Sequence, residues 1–128
     1  MRTPRETVGD TGVESALAAA VLRESVLGAR RASRRAGEVL RSEGFTLDEW
    51  LVLDTLDSTG EPDGLTMSEL REATVTDKAT LGRRVDALAT NALVFREVDG
   101  LDRRVIRVYL SARGRDVLSR LTARLAQD

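Results

Sequence analysis

Neither cysteine nor histidine occurs anywhere in the sequence. The first absence excludes disulfides and thiol redox chemistry; the second removes the usual imidazole base and the commonest zinc ligand. Aromatic residues amount to only 3%, so the core of a chain of 128 residues, the size of one domain, has to be built from Leu, Val and Ala. No apolar run approaches the roughly 18 residues that a membrane helix needs, and the N-terminus lacks a signal-peptide pattern. The expectation is a soluble, cytoplasmic protein with no membrane partner. No motif sets a nucleophile beside a base and no cluster has metal-ligand spacing, so neither an enzyme, a metal nor a cofactor is expected.

Charge is plentiful but uneven. The net value is −1, yet residues 46–75 carry one Arg against eight Asp and Glu, whereas residues 76–128 carry eleven Lys and Arg against seven acids. The second half is therefore basic. Such a distribution fits a face for a polyanion, and it also fits a surface that is merely solvated.

The first twelve residues, MRTPRETVGDTG, are polar with one Pro and two Gly and are expected to form a flexible arm over 1–12. Residues 13–45 contain no Pro and are rich in Ala, Leu and Arg, which predicts a long helix. Within it Leu22, Val26, Ala29, Ser33, Ala36 and Leu40 recur at alternating spacings of four and three. This makes a narrow stripe that a second helix can approach closely. Gly44 marks a stop, and Thr46-Leu47-Asp48-Glu49 has the spacing of a capping box opening a helix over 47–58. That helix is apolar on several sides, as a helix sandwiched between other elements should be.

A second capping box, Thr66-Met67-Ser68-Glu69, opens a short helix to about Thr74. After a tight turn at Val75-Thr76, Thr76 and Asp77 start another helix that runs to about Asn91, completing a helix-turn-helix. LVFREV and RVIRVYL then alternate as strands around Asp99-Gly100-Leu101-Asp102-Arg103, a hairpin, and Ser111 caps a final helix. The fold class that follows is mainly α with a small β-hairpin. It is a winged helix-turn-helix over 46–111, preceded by a long N-terminal dimerisation helix and followed by a C-terminal helix over 112–128.

The residues suggest how such a domain would meet DNA. On a helical wheel from Asp77, Leu81, Val85 and Leu88 face inward, while Thr76, Ala79, Thr80, Arg83, Asp86 and Thr90 share the opposite side. That face suits a major groove, which admits one helix. Arg83 can donate two hydrogen bonds to a guanine edge, with Asp86 to orient it. Thr80 can touch a base or a phosphate, and Lys78 and Arg84 flank the helix where phosphates run. On the hairpin, Arg103 is the candidate for insertion into a minor groove. Asp102 and Arg104 form the candidate brace of the tip, a division of labour with Arg103 that could be reversed, and Arg96 and Arg107 are candidates for phosphate contact.

The stretch LTMSELREATVTDKATLGRRVDALATNALVFREVDGLDRRVIRVYLSARG also resembles the DNA-binding core of the multiple-antibiotic-resistance-regulator (MarR) family of bacterial repressors. The likeness runs from Leu65 to Gly114 and loosely back to Leu47. Its most specific part is Asp102-x-Arg104, then Leu110-Ser111 and Gly114, with Arg83, Asp86 and Leu88 in step in the preceding helix. Two departures stand out: Ala92 replaces the usual Gly after the recognition helix, and the sequence ends soon after Ser111, where the family continues through more helix. The resemblance implies a homodimeric repressor on palindromic double-stranded DNA. The candidate interface is the Leu22–Leu40 stripe, aided by Leu118, Leu121 and Leu125 of the last helix. It also implies release by a small aromatic effector in a crevice near Trp50, although a lone Trp on so apolar a helix is more often a core residue. The rival reading is a winged-helix module that binds protein, which a net charge near zero favours.

Overall fold

The computed structural model describes residues 4–59 and 62–127, with side chains from residue 10 onward. The chain divides into two compact units that meet between Arg35 and Ala36. Helix α1 spans Pro4–Ser42, so most of the arm foreseen over 1–12 is helix instead, residues 1–3 lying outside the described residues. Pro4 is tolerated because the first helical position needs no N–H partner. The two glycines at 9 and 12 lower helix propensity without removing a ladder donor. In the first unit the large apolar side chains described on α1 stay exposed, among them Leu17 at 63% and Val21 at 67%.

The second unit holds the C-terminal end of α1 and everything after it. Helix α2 (Leu47–Ser58) opens with its capping box formed: Thr46 N–H donates to Glu49 Oε1 at 2.8 Å and Glu49 N–H to Thr46 Oγ1 at 3.1 Å. A two-residue strand β1 (Leu65–Thr66) leads into α3 (Met67–Thr74), and α4 covers Lys78–Thr90. Strands β2 (Val94–Val98) and β3 (Ile106–Leu110) form the hairpin, and α5 spans Ala112–Ala126. The hairpin is joined by β1 into an antiparallel sheet of order β1-β3-β2, with Leu65 opposite Val108 and Val94 opposite Leu110.

Helix α2 touches α3, α4, α5 and β3, which accounts for its apolar residues on several sides. Its Val52 and Leu53 are buried among Leu70, Leu81, Val85, Leu88, Val108 and Leu121. This packing corrects the expected interface. Leu40 and Leu121 are fully buried and Leu118 is 5% exposed, so the core of their own chain takes them, and Ala36 and Leu125 pack partly buried against that core. Leu22, Val26, Ala29 and Ser33 remain exposed. Among the described residues no helix is long and apolar enough to cross a membrane.

Three helices end in one way, with Gly44, Val75 and Ala92 at φ of 86°, 51° and 61° after α1, α3 and α4. In each case the next N–H returns five residues: Phe45 to Leu40 O (2.9 Å), Thr76 to Arg71 O (3.2 Å) and Leu93 to Leu88 O (2.9 Å). Ala92, standing where the family usually has Gly, thus adopts a left-handed backbone. A left-handed conformation costs an L-residue about 1–2 kcal/mol, and glycine's extra chain entropy cancels part of that relief on substitution. Val75→Gly and Ala92→Gly are each expected to stabilise the fold by about 0.5–1 kcal/mol, read as a higher denaturant midpoint at constant slope.

Candidate nucleic-acid interface

Helix α4 starts one residue later than the sequence suggested. Asp77, not Thr76, is the N-cap, and the Thr76 hydroxyl turns back to donate to Thr74 Oγ1 at 2.8 Å. Asp77 accepts the Thr80 N–H at 2.8 Å and the Thr80 hydroxyl at 2.9 Å. These two bonds, the backbone one first, hold its carboxyl below the usual range. Thr80 Oγ1 in turn accepts from Arg83 Nη2 at 3.3 Å. Side chains on a helix lean toward its N-terminus, so Arg83 reaches Thr80 and not Asp86, the partner anticipated from sequence.

Asp86 is instead taken by Arg96, whose Nη1 donates to Oδ1 at 2.6 Å. Arg107 is engaged as well: its Nε donates to Asp99 Oδ1 at 2.6 Å, with the two side chains 30% and 15% exposed. Arg96 stands opposite Val108 and Arg107 opposite Glu97, so the pleat puts the two arginines on opposite faces of the hairpin. They cannot both lie along one stretch of duplex from the same face, and each already has a carboxylate.

The wing tip is built by two aspartates. Asp99 Oδ2 accepts the N–H groups of Leu101 and Asp102, each at 2.9 Å. Asp102 accepts the Arg104 N–H at 3.0 Å and holds its guanidinium through two bonds of 3.1 and 3.2 Å. Arg104 is therefore the partner of Asp102, as the sequence suggested. Asp99 was missed, although Asp-Gly at the start of a turn is the signal for a side chain that caps its own backbone. Arg103 is exposed and has no hydrogen bond or ion pair among the described residues; the same holds for Lys78. Ala79 is exposed between Lys78 and Thr80, while Arg84 is half-buried with a buried Nε that finds no acceptor among the described residues. Trp50 is also half-buried, its indole N–H donating to Thr122 Oγ1 at 3.2 Å and tying α2 to α5.

Both tip carboxyls are held below the ordinary range, Asp99 first by the Arg107 guanidinium and Asp102 first by that of Arg104. Arg107 is raised by the same pairing with Asp99. A carboxyl with a lower pKa folded than unfolded contributes fully above its unfolded value, about 4, and loses that contribution as pH falls through the folded value. The tip is thus expected to be unchanged at about pH 5 and to come apart only in stronger acid. The amide shifts of Leu101, Asp102 and Arg104 report this, and a transition between about pH 5 and 7 would contradict it.

Between α3 and α4 lies an open cavity of about 370 Å³ lined by Met67, Ser68, Arg71, Lys78, Leu81 and Gly82. Among the described residues no cluster of carboxylates could hold a metal ion.

The MarR-family profile matches residues 43–105. Among solved structures, a MarR-family transcriptional regulator from Silicibacter pomeroyi is 31% identical at a TM-score of 0.69, covering 84% of this chain and 68% of its own. The apo wild-type MarR of E. coli is 23% identical at a TM-score of 0.75, with 83% and 76% covered. MepR of S. aureus, as an F27L mutant bound to an oligodeoxyribonucleotide, is 21% identical at a TM-score of 0.63, with 82% and 73% covered. No curated protein matches the chain.

Proposed function

The chain belongs to the MarR family of transcriptional regulators, and from that premise we propose that it is a dimeric repressor that reads a palindromic duplex. Helix α4 lies in the major groove and the wing in the minor groove. One observation carries this assignment. Of the arginines on α4 and the hairpin, Arg96, Arg104 and Arg107 form ion pairs with Asp86, Asp102 and Asp99 and Arg84 is half-buried, whereas Arg83 and Arg103 are exposed and form no ion pair among the described residues. The matched pairs give the wing its shape; the unmatched ones carry charge for phosphates and base edges.

Arg83, steadied by Thr80, reads a guanine edge, and Lys78 and Thr76 lie at the same end of the helix for phosphate contact. The exposed side of α1 supplies the dimer contact, since two half-sites need two copies. A small ligand that releases the duplex fits the cavity between α3 and α4, where Arg71 and Lys78 attract an anion and its bulk displaces the reading helix. The indole N–H of Trp50 is bonded to Thr122, which supports a packing role for that residue.

The test is a titration on duplexes recovered by selection from random sequence, alongside scrambled controls. Arg83→Ala is expected to cost about 1–3 kcal/mol and to relax base preference at its contact, whereas Arg103→Ala weakens every sequence alike. Unchanged binding by both variants rejects the assignment.

A further inference from the structure

Leu101 lies in the turn between β2 and β3 and is fully exposed, at 101%. An isolated apolar side chain on a surface is ordinary, but the backbone that carries this one is fixed. Its own N–H and that of the next residue are both bonded to Asp99, and Asp99 is in turn pinned by Arg107. The tip therefore has a fixed shape and carries a leucine. At the base of the turn, Val98 and Ile106 stand opposite each other and are 59% and 42% exposed, so two further apolar side chains are exposed where the strands meet it. Arg103 joins Val98 in lining a shallow hollow at this end. A braced apolar point beside an unmatched guanidinium is the chemistry of a side chain that enters a minor groove and parts two stacked base pairs, with the cation drawn to the phosphates.

We propose that Leu101 is a wedge, inserted from the wing into the minor groove at a flexible pyrimidine–purine step, and that it kinks the duplex there. The proposal rests on the DNA-binding reading above and adds to it a specific deformation and a specific sequence preference. Unstacking is least costly at TA and CA steps, so the wing would select bases it does not hydrogen-bond.

The experiment uses the full chain and a selected duplex in which 2-aminopurine replaces, one at a time, each adenine flanking the α4 contact. A donor–acceptor pair at the duplex ends reports bending. The expected result is a rise in 2-aminopurine emission at one step on each side, together with a shortened end-to-end distance. Leu101→Ala abolishes both and Leu101→Met keeps both, while duplex binding is retained through Arg83 and Arg103. Because Leu101 contacts no core, both variants melt with the parent protein. Emission unchanged at every position, or Leu101→Ala giving the same rise, overturns the wedge while leaving the regulator standing. Failure of the unsubstituted protein to bind any duplex overturns both. If Leu101→Ala alters self-association and leaves the duplex signals intact, the leucine is a protein contact and the wedge is wrong.

Discussion

Gly114→Ala is expected to destabilise the winged-helix unit by about 3–5 kcal/mol, a large share of the ~5–15 kcal/mol that holds a domain together. Gly114 is buried in the first turn of α5, and a Cβ there falls inside the contact radius of the Leu93 carbonyl oxygen and 2.8 Å from Leu110 Cδ1. The carbonyl cannot retreat. It accepts the Ser111 N–H at 3.0 Å and lies 2.9 Å from the Ser111 hydroxyl, which also reaches Ala92 O at 2.7 Å and caps Gly114 N–H at 2.9 Å. One added methyl therefore both overpacks the joint and pulls apart the bonds that fix α5 to the strand entering the wing. Overpacking costs about 1–3 kcal/mol and each broken bond about 1. Gly82→Ala is the control: no foreign atom comes within 4 Å of its Cβ, so in the interior of α4 it should stabilise by up to about 1 kcal/mol. Urea unfolding of the two variants checks this, and a loss below about 1 kcal/mol for Gly114→Ala contradicts it.

The joint at Gly114 also shows where the sequence was informative. Leu110-Ser111 and Gly114 were legible as a spaced motif, but the reason for the glycine was not, because the atom it avoids belongs to Leu93, remote in sequence. Most features closed within a few residues were readable, the Asp99 turn and the choice of Asp77 over Thr76 as cap being the exceptions. Both capping boxes formed, since each partner lies three residues away, and Asp102 found Arg104 two residues on. Features that depend on which element folds back on which were not. Asp86 had Arg83 within helical reach, yet β2 returns along α4 and delivers Arg96 to it. Strand β1 was missed because two residues carry no alternation, and Thr66 was already spoken for as a cap. The stripe from Leu22 to Leu40 was read as an interface between helices, but a periodicity says which residues share a side of a helix and not what covers them. At Leu40 the covering is the chain's own core.

With Leu40 in the core of its own chain, the dimer proposed above draws on the exposed apolar residues earlier in α1. Val13, Leu17 and Val21 follow one another at intervals of four and are 60%, 63% and 67% exposed. At about 100° per residue they fall on the side of α1 away from Leu22 and Val26. The N-terminal part of α1 thus carries apolar residues on two sides, more than a solvated helix needs. Leu17→Glu combined with Val21→Glu is expected to convert the protein to a monomer and to lower affinity for a duplex with two half-sites by about 10²–10⁴. Glutamate keeps high helix propensity, so the change acts on the contact and not on the helix. Affinity for a single half-site, and the melting of the winged-helix unit, should stay near those of the parent, because neither residue belongs to that core. Sedimentation equilibrium gives the mass, and titrations on full and half-site duplexes give the affinities. A variant that remains dimeric would show that the contact is built elsewhere, with the Leu22–Val26 side of α1 the next surface to charge.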